Sequence, residues 1–339
     1  MSLVIRSAKE SDLKDLYGLA RQFTLLNLPA DKRVLSEIIE ESEMSFKGKM
    51  SPENSVYLFV AEDKETKRVV ASSLIHGRCG TKESPNYAYK ILKRNLFSQD
   101  LGIGFIHQVL QLKADSEGPT EIGGLLVDRS YRRRPEKLGK QISFARFSYI
   151  ALHPDRFTDE IHVELAPPLT EEGRSEFWEA LGRRFTGLPY QEADALSQQN
   201  KEFIRSLFPP EDIYLSLLDA QARLVLGRVG EETRPAQQML ENIGFKYIEE
   251  VDPFDGGPHY RAKLKNLKPV KNGKHVTVEV QKKGKFKDFG FIGTTVPGSF
   301  QGGLVHATLD GDKAIIAKDR AEALGLEAGV KGFYFDFGA

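Results

Sequence analysis

Four arginines within six positions, Arg129, Arg132, Arg133 and Arg134, follow an apolar run at 122–127 that Asp128 closes. A helical pattern starts directly after them at Pro135. A strand, a cationic turn and a helix N-terminus together suit a polyphosphate. The first N–H groups of a helix lack intrahelical partners, and the helix dipole turns its positive end toward the turn. Arginine adds a fixed charge in a planar fork that matches phosphate oxygens. A solvated basic loop would use the same residues, and this stretch alone leaves both readings open. His76, His107, His153, His162, His275 and His306 show no HExxH or paired metal spacing, so ordinary core or surface roles are expected and no metal site. Cys79 is the single cysteine, which excludes an internal disulfide and a multi-cysteine metal site. A small buried thiol is its expected state.

These groups need elements to hold them. A strand is expected at 3–6, then a helix capped by Ser11 with Leu13, Leu16 and Leu19 at helical spacing. Pro29 breaks the chain before a second helix at 32–46, and strands at 56–61 and 69–74 have hairpin character. Further strands are expected at 86–92, 103–110 and 161–165, the last stopped by Pro167 and Pro168. The region 171–224 reads as mostly helical, Phe177 and Trp178 lying on an apolar core face. A strand at 225–229 precedes a short helix with Pro235 in its first turn and Gly244 at its end. Strand 245–251 then leads into the tight turn FDGGP at 254–258 and one more strand. Beyond Asn266 the runs at 276–280, 286–292 and 304–309 are β-like, with a turn at Asp310-Gly311. A helix at 319–324 and a strand at 332–337 finish the chain. The expected organisation is an α/β (α+β) body over 1–265, with a helical insertion at about 171–224, and a small β-rich module over 266–339.

Balanced charge, 48 basic against 48 acidic residues, argues against nucleic acid or a membrane surface as the main partner. No apolar stretch reaches the length of a spanning helix, and the start of the chain lacks a signal-like apolar segment. A cytoplasmic protein is expected.

The assembled segments resemble the bacterial arginine N-succinyltransferases, a branch of the GNAT-type N-acyltransferases. The likeness runs through VIRSAKESDL at the start, LPAD at 28–31, YLFVAEDKET at 57–66, LLVD at 125–128 and the Arg146-Phe147 pair. It continues through FW..LG.RF at 177–185, KEFI..L at 201–207, PAQQMLENIGF at 235–245, FDGGP and ALGLEAG at 323–329. The resemblance implies a mixed, splayed sheet flanked by helices. It also implies a succinyl-CoA or other acyl-CoA co-substrate, with no permanently bound cofactor. The thioester arm would lie along the strand carrying Leu125, Leu126 and Val127, whose N–H groups are the natural oxyanion donors. The pyrophosphate would sit on an Arg-x-x-Gly-x-Gly turn, here Arg134 to Gly139 with Lys137 in place of the first glycine. The second substrate would be a small amine, arginine or a related amino acid, and a homo-oligomer or a hetero-oligomer with a paralogous subunit is expected.

The chain departs from the family at two further points. The family's proton donor is a histidine in a Val-His-Pro context, where this chain reads Val229-Gly230-Glu231. Glu231 or Glu232, or His259 directly after FDGGP, are the candidates to take over general acid/base work. Solvated carboxylates favoured by the helix dipole are the alternative for the two glutamates. Relatives also carry an acidic residue followed by Met-Arg-Gly, where this chain reads Glu164-Leu165-Ala166-Pro167. Glu164 is kept as a substrate-binding candidate, and the arginine is lost. A catalytically altered or regulatory subunit beside a histidine-containing paralogue is the alternative function.

Overall fold

The computed structural model describes residues 3–22, 28–197 and 201–338. The chain forms β1 (Leu3–Ser7), α1 (Leu13–Ala20), α2 (Lys32–Phe46), β2 (Val56–Asp63) and β3 (Arg68–His76). The long hairpin β4 (Asn86–Ser98) and β5 (Ile103–Asp115) follows, then β6 (Thr120–Val127), α3 (Leu138–Leu152) and β7 (Glu160–Glu164). The helical stretch holds α4 (Glu176–Ala180), α5 (Gly182–Thr186), α6 (Tyr190–Ser197) and α7 (Glu202–Leu207). Next come β8 (Ile213–Tyr214), α8 (Ala220–Val225), α9 (Arg234–Ile243), β9 (Lys246–Val251) and β10 (Pro258–Lys263). The last part is α10 (Lys268–Lys271), β11 (Lys274–Gln281), β12 (Asp288–Val296), β13 (Ser299–Asp310), β14 (Lys313–Ala317), α11 (Lys318–Leu324) and β15 (Lys331–Asp336). The α/β class expected from the sequence is what the chain adopts.

The chain divides into two compact units, and the first comprises Met1–Arg78, Thr120–Ile161 and Lys263–Ala339. Its strands run in the order β12-β15-β11-β14-β13-β1-β2-β3-β6. The C-terminal strands close on themselves, because β12 pairs with both β15 and β13. Closure leaves that ring without a free edge, and Val278, Ile292, Val305 and Ile316 fill it together with Leu324 of α11. The expected β-rich tail is therefore a small barrel. Strand β13 reaches past it to pair with β1, Ile5 opposite Gly302, so the tail belongs to the same unit as the N-terminus. The apolar face of α1 and α2, with Leu16, Leu19, Leu35 and Ile39, packs on Leu58, Leu74 and Leu126 of the sheet. Helix α3 is buried along most of its length, which explains its nearly continuous apolar and small-residue sequence.

The second unit, Cys79–Pro119 with His162–Ala262, has strands in the order β7-β10-β9-β4-β5-β8. Its core is aromatic. Trp178 stacks on Phe254 with ring centroids 5.2 Å apart, Phe177 meets Tyr89 edge-on, and Ile204, Phe208 and Ala222 complete the cluster. Cys79 is buried, as expected of a structural thiol.

Several local expectations are corrected. Ser11 does not cap α1; it lies in a 3-10 turn in which Asp12 accepts from the Lys9 N–H. Arginine 6 holds Asp12 in that position through a two-pronged ion pair. Residues 226–229 form no strand: α8 runs to Val225 and the chain then turns with Gly227 at φ +66°. The C-terminal hairpin turns at Gly311-Asp312, since Asp310 pairs with Lys313. The region 171–224 expected to be mostly helical includes 198–200, which lie outside the described residues, and α6 and α7 flank them.

Candidate functional site

In the first unit, β6 and the turn after it carry the residues expected to hold an acyl-CoA. Strand β6 pairs antiparallel with β3, Leu126 opposite Ser72 and Gly123 opposite Leu74, so Gly124 and Leu125 together face Ser73 alone. This is a β-bulge, which bends a strand and re-aims its groups. Gly124 supports it at φ +55°, and a Cβ there would meet Leu74 at 2.8 Å. The bulge is tied down on both sides: the Ser72 hydroxyl donates to the Gly124 carbonyl at 3.0 Å and Arg146 donates to the Gly123 carbonyl at 3.1 Å. Arg146 is fully buried and also donates to Ser143; burial pushes its guanidinium down to about 9. The Arg146-Phe147 pair therefore serves the geometry of β6, with Phe147 fully buried beside it.

The turn 128–137 is ordered by its own residues. Asp128 accepts from the Ser130 N–H, Arg132 donates to the Val127 carbonyl at 3.2 Å, and Arg134 lies over the Tyr131 ring at 4.0 Å. Helix α3 begins at Leu138, three residues after the proline where it was expected. Lys137 precedes it in the left-handed region, φ 51° and ψ 48°. That conformation costs a side-chain-bearing residue roughly 1–2 kcal/mol relative to glycine. Lysine therefore holds the backbone shape that the glycine of the Arg-x-x-Gly-x-Gly pattern would adopt freely. Gly139 sits in the first turn of α3, and a Cβ there would touch only Val127 Cγ2, at an ordinary 3.6 Å. Packing inside the chain does not demand glycine at this position.

The second unit brings together Glu164 and His259, both expected, and His162, which the sequence reading set aside. His162 and Glu164 lie two apart on β7, and strand geometry puts such residues on one face. The adjacent β10 is placed by FDGGP. Asp252 accepts from the Phe254 and Asp255 N–H groups, Asp255 accepts from the Gly257 N–H at 2.7 Å, and Gly256 turns the chain at φ +75°. The Leu165 N–H then donates to the Pro258 carbonyl at 3.2 Å, which sets His259 beside β7. Glu164 Oε1 lies 3.4 Å from both His162 Nε2 and His259 Nε2, and the two rings meet edge to face at 4.8 Å. Both histidines are fully buried, while Glu164 is one-quarter exposed. Among the described residues, neither ring nitrogen of His259 has a hydrogen-bond partner.

Burial pushes the His259 imidazolium down to about 3, against a smaller opposing pull from Glu164, so His259 is neutral near pH 7. Burial also opposes the Glu164 carboxylate, but the neighbouring His259 and His162, with Lys201, hold its carboxyl below the usual range. Around FDGGP the sign is opposite: burial, reinforced by Asp255 and Glu164, raises Asp252 well above its ordinary value, and burial with repulsion from Glu164 and Asp194 raises Asp255 to about 7.

The two departures from the family touch each other. The Gly230 N–H donates to the Ala166 carbonyl at 2.9 Å, and a Cβ on Gly230 would stand 2.8 Å from the Pro167 carbonyl oxygen. The backbone at 166–167 occupies the space that any side chain at 230 would need. Glu231 and Glu232 are exposed at the start of α9.

Comparison with known proteins agrees with this reading. Residues 3–269 match the family described as arginine N-succinyltransferase beta subunit. An arginine N-succinyltransferase from Photorhabdus laumondii is 34% identical over 279 residues, 81% of this chain and 80% of that protein. One from Yersinia pseudotuberculosis is 31% identical over 336 residues, 96% and 95% of the two chains. The crystallised arginine/ornithine succinyltransferase subunit AI from Pseudomonas aeruginosa superposes with a TM-score of 0.87 at 27% identity, covering 100% of this chain and 99% of that one. The chain belongs to the arginine N-succinyltransferase family, acyltransferases that draw on an acyl-CoA co-substrate.

Proposed function

We propose that this protein transfers a succinyl group from succinyl-CoA to the amine of arginine or a closely related amino acid. The observation that carries the reading is the bulged β6 followed by a left-handed turn into α3, with Gly139 open on its outer side. That arrangement supports a thioester arm along Leu125, Leu126 and Val127 and a pyrophosphate on the turn between Arg134 and Gly139, where Lys137 adds charge. Backbone N–H groups of the bulged strand are the oxyanion donors in this reading. Proton handling falls to the cluster of His162, Glu164 and His259. Of the three acid/base candidates, Glu231 and Glu232 are exposed whereas His259 is buried against a carboxylate. General acid/base groups contribute about 10²–10⁴-fold in rate.

The test is release of free CoA thiol from acyl-CoAs across a panel of amines. Release with succinyl-CoA and arginine is expected, and Glu164→Gln should lower kcat at least 100-fold with acyl-CoA binding unchanged. No release with any pair would overturn the enzyme reading in favour of a regulatory subunit that assembles with a histidine-containing paralogue.

A further inference from the structure

His259 is an anomaly in the second unit. A fully buried imidazole normally has at least one ring nitrogen in a hydrogen bond, because leaving it unpaired costs free energy. Here both nitrogens lack one. Glu164 Oε1 is 3.4 Å from His259 Nε2, not in hydrogen-bonding geometry, and equally 3.4 Å from His162 Nε2, with which it shares a long hydrogen bond. One donor atom from each of the three residues lies within 4.8 Å of the other two. Donors at about 2.0–2.1 Å from a tetrahedral zinc ion are separated by about 3.3–3.4 Å. Both carboxylate-to-imidazole separations are close to such an edge, and the one to His259 is not a hydrogen bond.

We propose that His162 Nε2, His259 Nε2 and Glu164 Oε1 bind one divalent cation of the zinc class. Two imidazoles and a carboxylate are a donor set that zinc takes, and three protein ligands leave a fourth position open. The histidines are closed off, so the open position faces the side on which Glu164 is one-quarter exposed, where water or an anionic oxygen can enter. Metal on His162 Nε2 puts the ring proton on Nδ1. Arg261, whose Nε donates to that Nδ1 at 3.4 Å, must then give up this hydrogen bond and turn toward Glu250, already 3.5 Å from its Nη2, and Asp115 at 3.9 Å. A bound cation would take the lone pair on His259 that otherwise accepts a proton, and the proton handling proposed for this cluster would then pass to a metal-bound water. The inference stands on this geometry and not on the transfer reaction.

The test needs no substrate. Full-length protein stripped with a chelator is titrated with Zn²⁺ by calorimetry, and with Co²⁺ while visible absorption is recorded. We expect one Zn²⁺ per chain, a melting temperature that rises with Zn²⁺, and an absorption of the intensity given by four-coordinate Co²⁺. His259→Ala and His162→Ala should each weaken Zn²⁺ binding at least 100-fold and Glu164→Gln at least 10-fold, with His107→Ala as the unaffected control. Should an alanine variant fail to fold, the near-isosteric Glu164→Gln alone decides. Absence of stoichiometric binding, or unchanged affinity in Glu164→Gln, overturns the proposal. Either result leaves the CoA-release test free to succeed or fail.

Discussion

Substituting Gly139 by alanine separates a structural glycine from a ligand-facing one. Among the described residues the new Cβ would touch Val127 Cγ2 at 3.6 Å alone, so no overpacking follows. Within a helix, alanine is favoured over glycine by about 0.5–1 kcal/mol, less in the first turn. For a chain of this size that corresponds to a rise in Tm of about 1–2 °C. Binding should move the other way. A methyl group on the outer side of the turn keeps a phosphate from closing on the first N–H groups of α3. Loss of one charge-assisted hydrogen bond is worth about 1.5–3 kcal/mol, or roughly 10–100-fold in the Kd for CoA. Calorimetric titration with CoA and a thermal melt on the same sample measure both. A variant that is as stable as the parent and binds CoA equally well refutes the placement of the pyrophosphate on this turn.

Three further outcomes follow from the geometry. Lys137→Gly should raise stability by about 1 kcal/mol, by relieving the left-handed backbone, while losing some CoA affinity through the missing charge; a thermal melt that falls instead would show that Lys137 is not strained. Gly230→Ala should cost about 1–3 kcal/mol, because its Cβ meets the Pro167 carbonyl at 2.8 Å, and Gly230→His should not restore a family-like site without disturbing the loop that it strikes. Asp194 is raised to about 7 by burial from an ordinary 3.8. The folded state therefore binds its proton more tightly than the unfolded state, and the associated stability is complete below about pH 4 and is lost as pH rises through 7. At about 1.4 kcal/mol per pH unit the upper bound is near 4 kcal/mol, which partial exposure of the side chain reduces to about 1–2 kcal/mol. Asp194→Asn should flatten that decline in denaturant melts between pH 5 and pH 8.

Most of the fold could be read from periodicity, since α2, β2, β3 and the β6-to-α3 stretch carry unambiguous patterns. The strand expected at 225–229 failed because Val225 and Leu226 pack on the aromatic core from a helix end, a context that a short apolar run cannot reveal. Closure of the C-terminal ring was invisible because it depends on pairings between distant strands. At the candidate site the two family departures were legible as residue changes, but their contact was not: 166–167 and 230 meet only in three dimensions. His162 could have been found. Its spacing to Glu164, one residue between them on a strand, already placed both on one face. The third member, His259, needed the FDGGP turn to bring it alongside.

The central claim is that a chain with glycine in place of the family histidine still performs the acyl transfer. Purified protein alone, incubated with succinyl-CoA and arginine, is analysed by mass spectrometry for the amino acid bearing one succinyl group. We predict N-succinylarginine in amounts equal to the CoA released, and its loss in Glu164→Gln. Absence of any acylated amine from the chain by itself, with product appearing only when a histidine-bearing paralogue is added, would contradict the account.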